Sequence, residues 1–505
     1  MKINFSNLNN RQRTGLAALG GIFLALCAIS TVPIFAFIAL VPIIFCLKEV
    51  GIKSVIKNAL IAGIAAGIFS NFWMIKTISE FADFKMGIFS YLFGIFLLCL
   101  VFLLMFLVFY PFVNIKQNSF IQILSIACGW AIIEFGISHF LTGAFWLQSF
   151  LYWNLLKYPF FIQPAVFGGS VFISFLLALI NGALAYYIID KKKQSLFYLI
   201  GSFLIFLGTS LLSIIIYPEE HNTESIKIAL INNANPLHFK WDEITGNDMV
   251  QKMLQLNKKA YQTDADLHIW TESVVPWTFR KDDDFIQEII KKDHSNKAGT
   301  IIGMLTDYNK DTFYNSAYYF ETHLNNLQRY DKRFPLLFSE GPVQLFDIPI
   351  LRSIDFVVMP GNQSNIFNTI KGKAGIVICN ETNLNPIYNE IYKENPDFLV
   401  GISNDGWLAN SEYLKRLHFY INRLRAIESR KDIVFNSNSG YSGGFNSMGK
   451  EIAKRNEAIG FIEQFSITKQ KKVTFYSKNS KFFIYLYFLI GGFFLLYNYF
   501  IIHSK

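Results

Sequence analysis

Seven times between residues 14 and 216 the chain runs through a long apolar stretch, roughly 14–30, 32–47, 58–75, 86–110, 119–137, 164–189 and 196–216, and an eighth covers about 482–502. Runs of this length that must satisfy their own backbone in hydrocarbon leave helices as the simple solution. Gly and Pro interrupt several of them, which membrane helices tolerate. The first two runs are short and almost contiguous. Read as two spans or as one re-entrant hairpin, they return the chain to the side it came from. Residues from about 222 to 475 are different in kind and read like a soluble domain. The 52% hydrophobic and 16% charged content of the chain is therefore an average over unlike parts. The expected division is a seven-span helical bundle over 1–220, an inserted soluble domain over 221–475 and a closing membrane helix over 476–505.

The net charge of +9 does not point to nucleic acid, because many of the lysines lie in short loops between apolar runs. With the N-terminus placed in the cytoplasm, the inside loops hold Lys2, Arg11, Arg13, Lys48, Lys53, Lys57, Lys116, Lys191, Lys192, Lys193 and Lys505. The outside loops hold Lys76, Lys85 and Lys157. That asymmetry is the positive-inside pattern, and an odd number of spans then delivers the soluble domain to the outer face. "TKQKK" before the last span departs from the pattern, but long domains translocate largely regardless of charge. A small-residue "AIS" at 28–30 resembles a cleavage site weakly. A second apolar run follows it at once, which argues against a removed signal peptide.

Within 222–475, short β-type runs alternate with helical patterns. The strand candidates are "SIKIALI", "DLHIWTE", "GTIIGML", "YNSAYYF", "GIVIC", "DFLVGIS" and "DIVFNSN", and helices are expected near 247–263, 283–293 and 413–429. This alternation predicts a layered α/β domain.

Four of the five cysteines, Cys27, Cys46, Cys99 and Cys128, fall in apolar runs and read as small hydrophobic filler. Cys379 stands alone in the soluble part, so no internal disulfide is available there, and no paired-cysteine zinc spacing exists. It closes the apolar run "GIVIC" and is followed by polar "NETN", the pattern of a nucleophile on a sharp strand-to-helix turn. An unpaired thiol facing an oxidising compartment is a liability unless it is used. A thiol of pKa about 8.5 needs a base or a cation beside it. Glu272 ends the strand "LHIWTE" and is a candidate general base. Lys332, in "QRYDKRFPLLFSEGP", is a candidate for stabilising an oxyanion. His268, His323 and His418 offer a rival Cys–His dyad, but none ends a strand as Glu272 does.

The order "WTES" with Glu272, "YDKRFPLLFSE" with Lys332 and Glu340, then "ICNET" with Cys379 resembles the nitrilase superfamily. With the apolar runs on either side, the whole chain resembles the apolipoprotein N-acyltransferase family. "KWDE" with Trp241, "YNSA" at 314–317, "SNDGWL" at 403–408, "NRLRAIE" at 422–428, "NSNSG" at 436–440, "TGAFWLQ" at 142–148 and "QPAVFGGS" at 163–170 all look like that family's segments. Two positions depart from its pattern. Asn380 stands where a Tyr usually follows the Cys, and Ser339 stands where "FGE" has Gly.

The resemblance implies a helical transmembrane bundle of about eight spans, carrying an inserted α/β nitrilase-like αββα sandwich in the periplasm of a bacterial inner membrane. It implies a catalytic triad of Glu272, Lys332 and Cys379, with Glu340 and Glu381 as orienting groups. Trp241, Asn315 and Trp407 would be supporting acyl-chain or loop contacts. The implied reaction needs no metal or other cofactor. It moves an acyl chain from a phospholipid donor to the N-terminal amine of a diacylated apolipoprotein acceptor, through a cysteine thioester. Two other classes share part of the pattern: a membrane-tethered amidase of the nitrilase type, which would not need so many spans, and an inactive membrane binding protein, against which the intact triad argues.

Overall fold

The computed structural model describes residues 8–144, 147–148, 150–220, 224–235, 242–289, 298–321, 326–336, 340, 343–345, 348–351, 357–408 and 411–503. These fall into two compact units. The first is built from 1–141, 146–218 and 474–505, and the second from 142–145 and 219–473.

The first unit is helical. Among the described residues, seven helices are long and apolar enough to cross a membrane: Asn10–Ile29, Ile52–Ser70, Phe84–Val113, Ser119–Phe140, Ala165–Asp190, Lys193–Ile216 and the apolar part of Phe482–His503. The run at 32–47, expected as a span or as one arm of a re-entrant hairpin, forms two short helices, Ile34–Ile38 and Leu40–Leu47. Their fourteen residues reach about 21 Å, less than the roughly 30 Å of a hydrocarbon core. Yet they bring the chain back to the start of the first helix, where Arg13 Nη1 donates to the Lys48 carbonyl at 2.8 Å, and the odd parity of the crossings is kept. The break between them is buried in protein: the Leu40 N–H donates to Asn181 Oδ1 at 2.9 Å, and Asn181 Nδ2 donates to the Ala36 carbonyl at 2.9 Å. The run expected at 58–75 begins earlier, at Ile52, stops at Asn71, and is followed by a separate helix, Trp73–Phe81.

The helix Ala165–Asp190 is also interrupted, at Gly168 and Gly169, where Gly169 has φ +65°. Only glycine fits there. A Cβ on Gly169 would lie 2.5 Å from the Tyr476 ring, and one on Gly168 would lie 2.7 Å from that of Phe483. The interruption is thus a socket for the aromatic face of the C-terminal segment.

The second unit holds two facing sheets. The first has the order β15–β1–β2–β3–β4–β5, with β8 beside β4. Its strands are β1 (Ser225–Asn232), β2 (Leu267–Trp270), β3 (Gly299–Asn309), β4 (Thr312–Phe320), β5 (Gln328–Asp331), β8 (Val357–Val358) and β15 (Phe461–Thr468). The second has the order β14–β13–β12–β11–β10–β9. It is built from β9 (Ile366–Thr369), β10 (Gly372–Ile378), β11 (Phe398–Asn404), β12 (Ile433–Asn438), β13 (Ser442–Phe445) and β14 (Glu451–Arg455). A hairpin of β6 (Val343–Leu345) and β7 (Ile348–Leu351) lies outside both.

The central strands β1–β2–β3 and β10–β11–β12 are parallel within their sheets. They read as nearly continuous apolar runs because both faces are covered. On one side the helix Glu243–Tyr261 lays Met253, Leu256 and Ala260 over Trp270 and Ile302. On the other, the helices Asn385–Lys393 and Glu412–Ser429 cover the second sheet, with Ile391 pressed so closely on Gly375 that a Cβ there would lie 2.5 Å away. The result is an αββα sandwich, the layered α/β architecture expected.

A polar seam joins the sheets. Asn436 Nδ2 donates to the carbonyls of Ile231 (3.0 Å) and Ile269 (2.8 Å), and Asn232 Nδ2 donates to the Ser437 carbonyl (2.9 Å). Such fully enclosed bonds fix register, since a slipped strand would leave them unmade.

Candidate active site

The carboxyl ends of parallel strands are where open α/β sheets present chemistry, and here two such ends meet. Glu272 follows β2, and its backbone N–H reaches the Ser403 carbonyl of β11. Cys379 follows β10 and has φ +54°. A non-glycine residue held left-handed costs about 1–2 kcal/mol. Here it turns the chain sharply from strand into the short helix Cys379–Asn383, as a nucleophile elbow does. Lys332 follows β5, anchored by its N–H to the Asn315 carbonyl (2.8 Å) and by its carbonyl to the Gly361 N–H (2.9 Å).

The three side chains are almost completely enclosed: Lys332 is 0% exposed, Glu272 4% and Cys379 4%. Lys332 Nζ lies 2.6 Å from Glu340 Oε2 and 3.8 Å from Glu272 Oε1. Asn315 Nδ2 bridges the same two acids, at 2.6 Å from Glu272 Oε1 and 3.0 Å from Glu340 Oε1. The second Glu272 oxygen accepts from the Asn404 N–H at 2.7 Å. Glu340 Oε2 also accepts from the Leu336 N–H at 2.7 Å, which ties the lysine loop to itself.

Charge states follow from this enclosure. Burial, with Glu340 adding to it, lifts the Glu272 carboxyl to about 7 against the pull of Lys332. Burial opposes the Lys332 ammonium, but Cys379, Glu340 and Glu272 together outweigh it and raise its pKa. Burial first, then the charge of Glu272, push the Cys379 thiol well up. The resting arrangement is therefore a neutral thiol, a fixed cation and a carboxylate poised near neutrality, which suits proton transfer at pH 7.

The remaining expected residues divide. Asn315, expected as a supporting contact, is the amide that bridges the two carboxylates. Glu381 is fully buried and accepts four bonds. They come from Tyr330 OH (2.9 Å), Arg333 N–H (2.7 Å), Phe334 N–H (3.3 Å) and Ile378 N–H (2.9 Å). It clamps the lysine loop to the elbow. Asn380, in the position of the family's Tyr, is buried and donates to the Phe334 carbonyl at 3.0 Å, so it braces the same loop. Trp407 is half-buried in the turn Gly406–Leu408. Trp241, Ser339 and His323 lie outside the described residues.

Of the rival histidines, His268 is buried edge-on against the Tyr261 ring, 4.5 Å away. His418 reaches the carbonyl of Cys379, at 3.0 Å. That contact spans 39 residues and joins a helix to a strand end. The local signal for it was only a histidine in an amphipathic helix.

Residues 20–183 match the apolipoprotein N-acyltransferase N-terminal domain, and residues 227–441 match carbon–nitrogen hydrolase. The chain is 26% identical over 396 residues to an apolipoprotein N-acyltransferase of Rickettsia prowazekii, covering 73% of this chain and 74% of the relative. It is 25% identical over 460 residues to that of Geobacter metallireducens, covering 86% and 85%. A solved nitrilase-superfamily structure from Saccharomyces cerevisiae is similar at 17% identity and a TM-score of 0.38, over 50% of this chain and 93% of that one. With both domain families matched in chain order and relatives of one name aligned across the junction between them, the chain belongs to the apolipoprotein N-acyltransferase family of the nitrilase superfamily.

Proposed function

We propose that this protein transfers a fatty acyl chain from a phospholipid to the N-terminal α-amino group of a diacylglyceryl-cysteine apolipoprotein, the last step of lipoprotein maturation, by a ping-pong route through a thioester on Cys379. One observation carries the reading: the buried Cys379, Lys332 and Glu272 side chains gather at the strand ends of one enclosed site, with Lys332 Nζ 3.8 Å from Glu272 Oε1, in a chain whose other unit is a bundle of membrane-length helices.

In the first half-reaction Cys379 Sγ attacks the ester carbonyl while its proton passes to Glu272. Lys332 Nζ, fixed by Glu340, faces the oxyanion. The C–O bond breaks, and Glu272 returns the proton to the departing lysophospholipid. In the second, the lipoprotein amine attacks the thioester, Glu272 takes the amine proton, and the sulfur leaves and is reprotonated. One hard transfer becomes two easier ones. Enclosure matters because water at the thioester would make the enzyme a phospholipase. The charge asymmetry of the short loops supports a bacterial inner-membrane location, with residues 221–475 on the periplasmic side.

The test is intact-mass analysis after incubation with phospholipid, followed by addition of a diacylated lipopeptide with a free N-terminus. An acyl adduct on Cys379 that disappears as the lipopeptide gains one acyl chain is expected. A Cys379→Ser protein that still acylates the peptide at the wild-type rate would sink the thioester route. Release of free fatty acid with no transfer would favour a hydrolase.

A further inference from the structure

The ring of His418 lies between Asp405 and the backbone of the nucleophile. Its Nε2 is 3.0 Å from the Cys379 carbonyl oxygen and its Nδ1 is 2.8 Å from Asp405 Oδ1. A carbonyl oxygen only accepts, so Nε2 carries a proton. Asp405 Oδ1 already accepts from Ser403 Oγ at 3.0 Å. A carboxylate facing Nδ1 calls for a proton there as well, and only the imidazolium donates from both nitrogens.

The pair is neutral as a whole and sealed from water, His418 being 4% exposed and Asp405 0%. The other groups that face the ring are Cys379, the charge of Glu272 and the aromatic ring of Phe435, 5.2 Å away and tilted at 70°. Burial works against the imidazolium, but Asp405, the Cys379 carbonyl and Glu272 more than offset it, and the ring's pKa is raised.

We propose that His418 is a positioning residue that keeps a permanent positive charge on the Cys379 carbonyl, polarising the 379–380 peptide group and holding the nucleophile in its left-handed turn. The carbonyl of Cys379 and the N–H of Asn380 are two ends of one conjugated amide. A cation on the oxygen draws electron density from the nitrogen and makes that N–H a stronger donor. In a nucleophile elbow it is the N–H after the nucleophile that meets the oxyanion. The same charge opposes the upward push that Asp405 gives the Cys379 thiol, so losing it makes the thiolate costlier to form. The oxyanion part of this inference rests on the acyl-transfer reading, whereas the charge state and the thiol effect do not.

The experiment uses the full chain in lipid nanodiscs. Imidazole nitrogen shifts are recorded from pH 6 to pH 9, the His418 signal being identified among the eight histidines by its loss in His418→Gln. The expected signal stays that of an imidazolium throughout, and a neutral tautomer at pH 8 overturns the inference. Glutamine can still donate one hydrogen bond to the carbonyl but brings no charge. His418→Gln should therefore slow acyl-adduct formation about 10–100-fold, less than the about 10²–10³ for loss of a whole oxyanion donor. Half-saturation by phospholipid should not change.

Alkylation of Cys379 by iodoacetamide should slow in the same variant, with Cys379→Ala as the blank. Should His418→Gln not fold, Asp405→Asn, which leaves the ring without its counter-ion, is read by the imidazole nitrogen shifts and the adduct rate, since it also removes the push of Asp405 on the thiol. A variant that keeps wild-type adduct and alkylation rates overturns the inference. Alkylation that slows in a protein whose wild type forms no acyl adduct upholds the charged histidine and removes the transferase reading instead.

Discussion

Glu381→Gln is a change of one atom at the point where the lysine loop meets the elbow. Oε1 accepts three of the four bonds, from Tyr330, Arg333 and Phe334, and Oε2 accepts the Ile378 N–H. A glutamine that keeps its oxygen at Oε1 turns an NH₂ toward the Ile378 N–H, donor against donor. A buried N–H left without an acceptor costs about 1–3 kcal/mol. That opens the segment around Ile378–Asn383 more often by about 5- to 150-fold, which amide exchange of a peptide covering 376–384 measures directly. Cys379 is the residue next to the lost bond, and a shift of its sulfur by about 1 Å costs on the order of 10²-fold in rate. The expected outcome is both effects together: faster exchange at the elbow and slower acyl-adduct formation. If Glu381 were instead a second base, the rate would collapse while exchange stayed at the wild-type level, and that result would refute the clamp.

Adduct formation should rise with pH through about 7, because Glu272 must be deprotonated to accept the thiol proton and its carboxyl is lifted to about 7. Glu272→Gln should remove that limb and block the first half-reaction, by at least the about 10²–10⁴-fold that a positioned base contributes. Normal adduct yield would reassign the base. Gly303→Ala should slow the same step, since a Cβ there would lie 2.6 Å from Glu272 Cα and from the Thr271 carbonyl oxygen and must push the β2 end away; an unchanged rate constant would show that this end yields harmlessly. A membrane-impermeant thiol reagent should reach an engineered cysteine near Lys469 in intact spheroplasts but not one near Lys192, and the opposite pattern would reverse the orientation inferred from loop charge.

The strand ends that carry Glu272 and Cys379 were legible because they are local. "GIVIC" and "LHIWTE" each end a buried run on one polar residue, and the structure shows β10 and β2 stopping one and two residues before Cys379 and Glu272. The helix expected at 413–429 is found at Glu412–Ser429. What stayed hidden depends on pairing. β5 is four polar-looking residues, β13 is "SGGF" and β14 is "EIAKR". Their strand character comes from neighbours across the ladder and not from alternation of their own. The apolar run at 32–47 looked like one unbroken helix because hydropathy counts residues and does not see Asn181 satisfying a break between two short helices. Asn315 gave no sign of its bridging role, since the acids it joins lie 43 and 25 residues away in sequence. The histidine under the elbow is the same kind of case.

The glycine socket in the helix Ala165–Asp190 is filled by Tyr476 and Phe483, about 300 residues later in the chain. At about 5–20 residues per second, synthesis takes roughly 15–60 s to cover that distance. For that time the left-handed Gly169 and its interrupted hydrogen-bond ladder lack the two rings that close over them, in a setting where an unsatisfied backbone group is costly. The bundle is thus a structure that waits for its own last helix. A chain stopped after residue 473 is expected to insert its earlier helices and then be removed by membrane proteases. Separate expression of 474–505 in the same cells should restore it. Stable accumulation of the shortened chain would mean that the socket closes by other means.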